Sequence, residues 1–115
     1  MANKTEPLTE SYFFILLCLY RGPNHGYGIM QQTLKLSNGN VRIGSGTMYG
    51  ATGQMMKKGW IEECPAQGFD RRRQYRLTDA GRQTLLEEVE RLRHLVCVAG
   101  NMIGGETNEK DQNHL

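Results

Sequence analysis

Little in this sequence suggests covalent or metal scaffolding. Its 115 residues include three cysteines, Cys18, Cys64 and Cys97, odd in number and far apart. There is no CxxC pair and no Cys/His cluster, so neither a disulfide framework nor a zinc site is indicated. No metal and no cofactor are expected. Buried, reduced thiols are the simple reading of all three cysteines, and a redox sensor is the more specialised one. Three prolines and one tryptophan exclude a proline-rich linker. The longest apolar run, Tyr12–Tyr20, is nine residues, well short of the ~20 that a membrane-crossing helix needs. Lys4, Glu6, Pro7 and Glu10 precede it, without the basic start and small-residue cleavage site of a signal peptide. A cytoplasmic protein with no membrane partner is the expectation. Catalytic signatures are missing too: there is no G-x-S-x-G, Walker or H-E-x-x-H motif. The carboxylate pairs Glu62-Glu63 and Glu87-Glu88 are adjacent residues that diverge on a strand or helix. No catalytic residue is nominated, and no enzyme is expected.

What is present is a small core and an uneven charge. Hydrophobic residues make up 38% of the chain, enough for one modest domain with an added helix. Residues 1–83 hold 11 Lys+Arg against 6 Asp+Glu, net +5, whereas residues 84–115 hold 3 against 6, net −3. A basic body suggests an anionic partner.

Periodicity gives the elements. Pro7–Arg21 reads as a first helix, with Leu8, Tyr12, Ile15, Leu16 and Leu19 at helical spacing and Phe13, Phe14 and Leu17 widening the face. So wide a face needs two neighbours, the core and another subunit. Arg21-Gly22-Pro23-Asn24 is a stop. His25–Ser37 reads as a second helix capped by Asn24. Val41-Arg42-Ile43 reads as a short strand. Ser45-Gly46-Thr47 opens a third helix to about Lys58, burying Met48, Ala51, Thr52 and Met55. Gly50 and Gly53 weaken that helix by about 1 kcal/mol each relative to Ala, so packing must hold it. Residues 60–64 and 72–77 form a hairpin whose loop, Pro65–Arg71, contains Pro and Gly. Thr78 caps a last helix, Asp79 to about Ile103, with a stripe of Leu85, Val89, Leu92, Val96 and Met102 or Ile103. At 1.5 Å per residue it spans about 37 Å, more than a small core can cover, so its far half must meet another chain. Gly104-Gly105 ends it, and a polar tail follows.

This element order is that of a winged helix-turn-helix: mainly α with a small β-hairpin, plus a long C-terminal dimerisation helix. The third helix would enter the major groove and the hairpin would be the wing. The expected units are residues 1–78 for DNA binding, 79–103 for dimerisation and 104–115 as a disordered tail. Arg71, Arg72 and Arg73 are the foremost DNA-binding candidates, because a guanidinium carries a permanent charge and a fork that matches phosphate. Ser45, Thr47, Tyr49, Gln54 and Lys57 lie on or near the exposed side of the third helix. Their hydroxyls suit phosphates, and Gln54 suits adenine in the major groove. Thr47 has capping as its alternative role and Tyr49 has packing. Tyr27 either braces the second helix or touches a phosphate. His25 and His94 have no partner at useful spacing and count as ordinary polar residues.

Four stretches resemble the PadR family of bacterial transcriptional regulators: Asn24-His25-Gly26-Tyr27-Gly28-Ile29, Gly46-Thr47-Met48-Tyr49, Lys58-Gly59-Trp60-Ile61-Glu62, and Arg71-Arg72-Arg73-Gln74-Tyr75-Arg76-Leu77-Thr78-Asp79-Ala80-Gly81. The resemblance covers about residues 8–98, and its last motif is the most specific. It implies a homodimeric regulator, a repressor on a pseudo-palindromic double-stranded operator, of the small branch with a single C-terminal dimerisation helix. Tyr12, Leu16, Leu85, Val89, Leu92 and Val96 are the expected dimer interface. A small apolar or planar effector bound there would touch Tyr12, Leu92 and Val96. Two features depart from the family pattern. Gly50, Thr52 and Gly53 stand where a Pro, an apolar residue and a longer polar residue are usual, and the one tryptophan, Trp60, lies at the wing base rather than in the dimerisation helix. The alternative is a winged-helix protein-interaction module with weak or no DNA binding.

Overall fold

The structure, a computed structural model, describes residues 6–65 and 68–107, the last three by backbone alone. Met1–Thr5, Ala66, Gln67 and the tail from residue 108 lie outside the described residues.

Thr9 starts the first helix, α1 (Glu10–Leu19), because its extended backbone lets Oγ1 accept from the Tyr12 N–H at 3.2 Å. The helix is shorter than the predicted Pro7–Arg21. Strand β1 is Asn24–His25 and helix α2 is Gly26–Leu36. The cap of α2 is His25 rather than Asn24: its Nδ1 accepts the Gly28 N–H at 3.0 Å, while Asn24 Oδ1 accepts from the His25 N–H. At the other end Asn38 takes a left-handed φ of 55°. The Gly39 and Asn38 N–H groups then return to the Leu34 and Lys35 carbonyls, a Schellman closure.

Helix α3 is Ser45–Lys57, capped by Gly44 without a side-chain hydrogen bond, so neither Ser45 nor Thr47 caps it. It closes the same way, with Gly59 at φ 77° and the Trp60 N–H on the Met55 carbonyl. Strands β2 (Ile61–Cys64) and β3 (Gln74–Leu77) form the hairpin. The sheet has three antiparallel strands in the order β1-β3-β2, with Asn24 opposite Tyr75 and Glu62 opposite Arg76. The predicted strand Val41–Ile43 is not one. Asn24–His25 occupies that sheet edge, and Ile43 instead sinks its side chain into the core.

Helix α4 is Asp79–Thr107. It passes through Gly104 and Gly105, which were expected to stop it. Thr78 caps it, accepting the Gly81 N–H on Oγ1. The core joins Ile15, Leu16 and Leu19 of α1, Ile29 of α2, Met55 of α3, Ile61 of β2 and Leu85 of α4. Glu88 is buried among these elements. Its carboxylate accepts two bonds from Arg91, at 2.9 and 2.7 Å, and one from the Leu8 N–H, tying α4 to the segment before α1. Arg91 and the Leu8 N–H hold the Glu88 carboxyl below its ordinary value, against the opposing effect of burial.

Two interface assignments are corrected here. Leu16 and Leu85 are fully buried inside their own subunit, because α1 and the first half of α4 are what the core is built from. No surface remains on them for a partner. Tyr12 and Val89 are half-buried against the same core. From Leu92 to Ile103 every residue of α4 is exposed, including Leu95, Val96, Val98, Met102 and Ile103. Cys18 and Cys64 are buried, but Cys97 lies on this exposed stretch, contrary to the expectation of three buried thiols. Among the described residues no helix is long and apolar enough to cross a membrane.

Candidate nucleic-acid interface

Helix α3 has two unlike faces. Met48, Ala51, Thr52 and Met55 are buried. Thr52 resolves its own polarity by donating its hydroxyl back to the Met48 and Tyr49 carbonyls. The opposite face is open: Ser45, Thr47, Tyr49, Gln54 and Lys57 are all exposed, Tyr49 at 75%. Gly46 and Gly50 share this face, and Gly53 sits beside it. A Cβ placed on any of the three would meet nothing within 4 Å.

The wing meets this face through Arg73 and Tyr75. Tyr49, Gly50, Gly53, Gln54 and Lys57 of α3 line a groove of about 380 Å³ together with Arg73 and Tyr75. Tyr75 is the buried root of the wing. It anchors the hairpin in the core. Tyr75 and then Glu63 are the main influences raising the Arg73 guanidinium value, with Tyr49 a weaker one. The groove therefore gathers Tyr49, Gln54, Lys57 and Arg73. It does not include Ser45, Thr47, Tyr27, Arg71 or Arg72.

Arg72 belongs to a second cluster. Its Nε and Nη2 donate to the two carboxylate oxygens of Asp70, each at 3.0 Å, and its backbone N–H donates to Asp70 as well. These bonds hold the Asp70 carboxyl down at about 2. His25 Nε2 lies 3.8 Å from the same carboxylate, and Tyr27 is close enough to favour the Arg72 charge. Tyr27 itself is exposed and accepts a bond from Gln31. Sequence reasoning missed His25 because it started the helix one residue early, with Asn24 as the cap, and because Asp70 comes near His25 only in the folded wing.

The wing's cations are thus partly self-neutralised. Arg72 pairs with Asp70, Arg73 with Glu63 at 3.2 Å, and Arg76 with Glu62 at 2.8 Å. Arg71, Arg72 and Arg73 are therefore not a row of three free charges. All three pairs nevertheless lie at the surface, with Arg72 and Arg73 side chains 56% exposed. Exposed pairs are worth ~0–1 kcal/mol, so a phosphate can displace either carboxylate. Arg71 is exposed and makes no ion pair among the described residues. Nor, among those residues, do three His, Cys, Asp or Glu side chains converge as metal ligands would.

Comparison with known proteins is consistent with this geometry. The profile of the Transcriptional regulator PadR-like family matches residues 15–87. A PadR family transcription regulator from Clostridium difficile R20291 is 24% identical, with a TM-score of 0.71 over 84% of this chain and 100% of that one. A PadR-like transcriptional regulator from Bacillus cereus ATCC 14579 is 23% identical, with a TM-score of 0.70 over 83% of this chain and 92% of the other. Bacillus subtilis PadR in complex with operator DNA is 21% identical, with a TM-score of 0.60, over 68% of this chain but only 45% of its own length. No curated protein matches the chain.

Proposed function

The chain belongs to the Transcriptional regulator PadR-like family, and from that premise we propose that it represses transcription by binding operator DNA as a homodimer. Helix α3 enters the major groove, where Gln54 and Tyr49 meet base edges and Lys57 and Arg73 meet phosphates. Arg71 and Arg72 extend the phosphate contacts from the wing. Ser45 and Thr47 lie at the N-terminal end of α3, whose free N–H groups also suit a phosphate. The observation that carries this reading is the convergence of Tyr49, Gln54, Lys57 and Arg73 on one open groove between helix and wing. A structural neighbour solved with operator DNA supports it. Dimerisation rests on the exposed apolar half of α4, with Leu92 and Val96 at its start and Val89 and Tyr12 at the rim. Release by a small apolar effector follows if two copies enclose a pocket there. Tyr12, which stacks edge-on against Trp60 at 6.5 Å, is then one wall.

The test is fluorescence anisotropy with duplex DNA from the promoter of the protein's own gene, titrated across salt. Arg73→Ala and Lys57→Ala should each weaken binding and lower the magnitude of the log–log salt slope by about 0.9 for every phosphate the side chain had neutralised. Unchanged affinity in both variants overturns the reading. One observation favours a second reading, a protein-docking wing: the glycines of α3 leave few long donors on the face that would read bases.

A further inference from the structure

The wing ends in a residue the DNA reading has not used. Phe69 is fully exposed, at 102% of its reference area, more open than any other large hydrophobic side chain described. Its surroundings are braced. Gly68, at φ 60°, turns the chain into it. Asp70, immediately after it, is fixed by three bonds from Arg72 and lies 3.8 Å from His25 at the start of α2. The aromatic ring is therefore presented on a tip whose base is tied to the helix-turn-helix. Next to it are Arg71, exposed, and Arg72 and Arg73, both largely exposed.

A fully exposed aromatic ring beside three surface arginines is well matched to a polyanion with stackable bases. Apolar side chains that enter the minor groove wedge between base steps, partly unstack them and bend the duplex. Pyrimidine–purine steps yield most easily. Resting on the DNA-binding reading above, we infer that Phe69 is a minor-groove wedge. While α3 reads the major groove, the wing tip inserts Phe69 at a flanking step, and Arg71 holds the phosphates beside it. The residue then adds specificity through deformability, at positions where no hydrogen bond reads a base. This suits a recognition helix with Gly46 and Gly50 on its exposed face and Gly53 beside it.

The probe is a pool of random-sequence duplexes about 40 base pairs long, selected by the wild-type protein and recovered. The recovered duplexes should share a TA or CA/TG step at a fixed distance outside the sequence read by α3. End-labelled with a donor and acceptor dye, they should bend on binding. Phe69→Ala, a change at a fully exposed position, should fold as the wild type does by circular dichroism. It should bind about tenfold more weakly, abolish the bend and lose the flanking preference, with the salt slope unchanged. Phe69→Leu should retain most of the bend. Phe69→Ala with the same bend and the same flanking step overturns the wedge and leaves the DNA reading standing. A wild-type protein that enriches no duplex overturns both, and a protein partner for the wing then becomes the better account.

Discussion

Gly81→Ala should destabilise the fold, although helix propensity alone predicts the reverse. Gly81 lies in the first turn of α4, where Ala is the better helix former by about 1 kcal/mol. A Cβ at this position would stand 1.9 Å from the Trp60 carbonyl oxygen, 2.8 Å from its carbon and 3.1 Å from Leu77 Cδ2. Restoring ordinary contact at 3.4 Å requires helix and strand to separate by about 1.5 Å. The Trp60 carbonyl cannot swing aside freely, because it accepts the Thr78 N–H at 3.0 Å. Thr78 in turn caps Gly81 and donates to the Gly59 carbonyl. Overpacking costs about 1–3 kcal/mol and each strained hydrogen bond about 1 more. Net of propensity, a loss of roughly 2–4 kcal/mol follows, or a fall in Tm of roughly 8–20 °C. Gly50→Ala and Gly53→Ala are the matched controls, since their Cβ atoms meet nothing within 4 Å. Each should stabilise by about 0.5–1 kcal/mol. Urea unfolding followed by circular dichroism reads all three. A neutral or stabilising Gly81→Ala would refute the reasoning, as would destabilisation by the two controls.

Glu88→Gln removes a buried carboxylate from two bonds of Arg91 and should cost about 1–3 kcal/mol, below the usual figure for a broken buried pair because Arg91 is 29% exposed and can turn to water; urea midpoints check it. The same carboxylate governs acid stability. A lowered folded-state value means its contribution is complete above the ordinary 4.5 and fades as pH falls below it, and that of Asp70 is complete above 3.8 and is lost as pH falls through about 2. Thermal melts should therefore drop between about pH 4.5 and 2, with a shallower fall in Glu88→Gln. Asp70→Asn keeps an acceptor for the Arg72 N–H but frees the guanidinium. Non-specific duplex binding should tighten a few-fold and the salt slope should steepen by up to about 0.9; weaker binding in anisotropy titrations would count against an Arg72–phosphate pair. Leu92→Asp should convert a dimer to a folded monomer in sedimentation velocity, and a wild type that sediments as a monomer removes the dimer proposal.

The parts legible in the sequence were those set by local chemistry. Buried Met48, Ala51, Thr52 and Met55 at helical spacing fixed the inner face of α3, and Gly59 fixed its end. Thr78 as the cap of α4 was equally local. Non-local choices were not legible. Val41–Ile43 has strand-like residues, but a strand needs a neighbour, and β3 was already paired on both sides by Asn24–His25 and Ile61–Cys64. Leu16 and Leu85 carry the same apolar pattern as Leu92 and Val96. A stripe gives no sign of where the subunit's own core stops, and here it stops at about Arg91. Two of the wing's ion pairs, Arg76–Glu62 and Arg73–Glu63, follow from the hairpin, whose register puts Glu62 opposite Arg76 and Glu63 opposite Tyr75. A count of arginines cannot supply that register.

The division of labour within α3 explains why so poor a helix is kept. A Cβ at Gly44, Gly46, Gly50 or Gly53 would meet nothing within 4 Å, so no packing contact requires glycine at these positions. Three of them lie within a helix of 13 residues, at a cost of about 1 kcal/mol each relative to alanine. The buried face offsets this. Met55 is fully buried, Met48 and Ala51 are nearly so, and Thr52 adds no unsatisfied group. Stability thus comes from one side of the helix, which leaves the other side free of structural duty. A smooth outer face lets the backbone approach a surface more closely than leucine or glutamate would allow. Tyr49, Gln54 and Lys57 then stand as isolated projections from a flat strip, flanked by Arg73. On the proposed DNA reading, Tyr49, Gln54 and Lys57 supply the hydrogen bonds of this strip, and the bending of a duplex toward the wing would add to the discrimination.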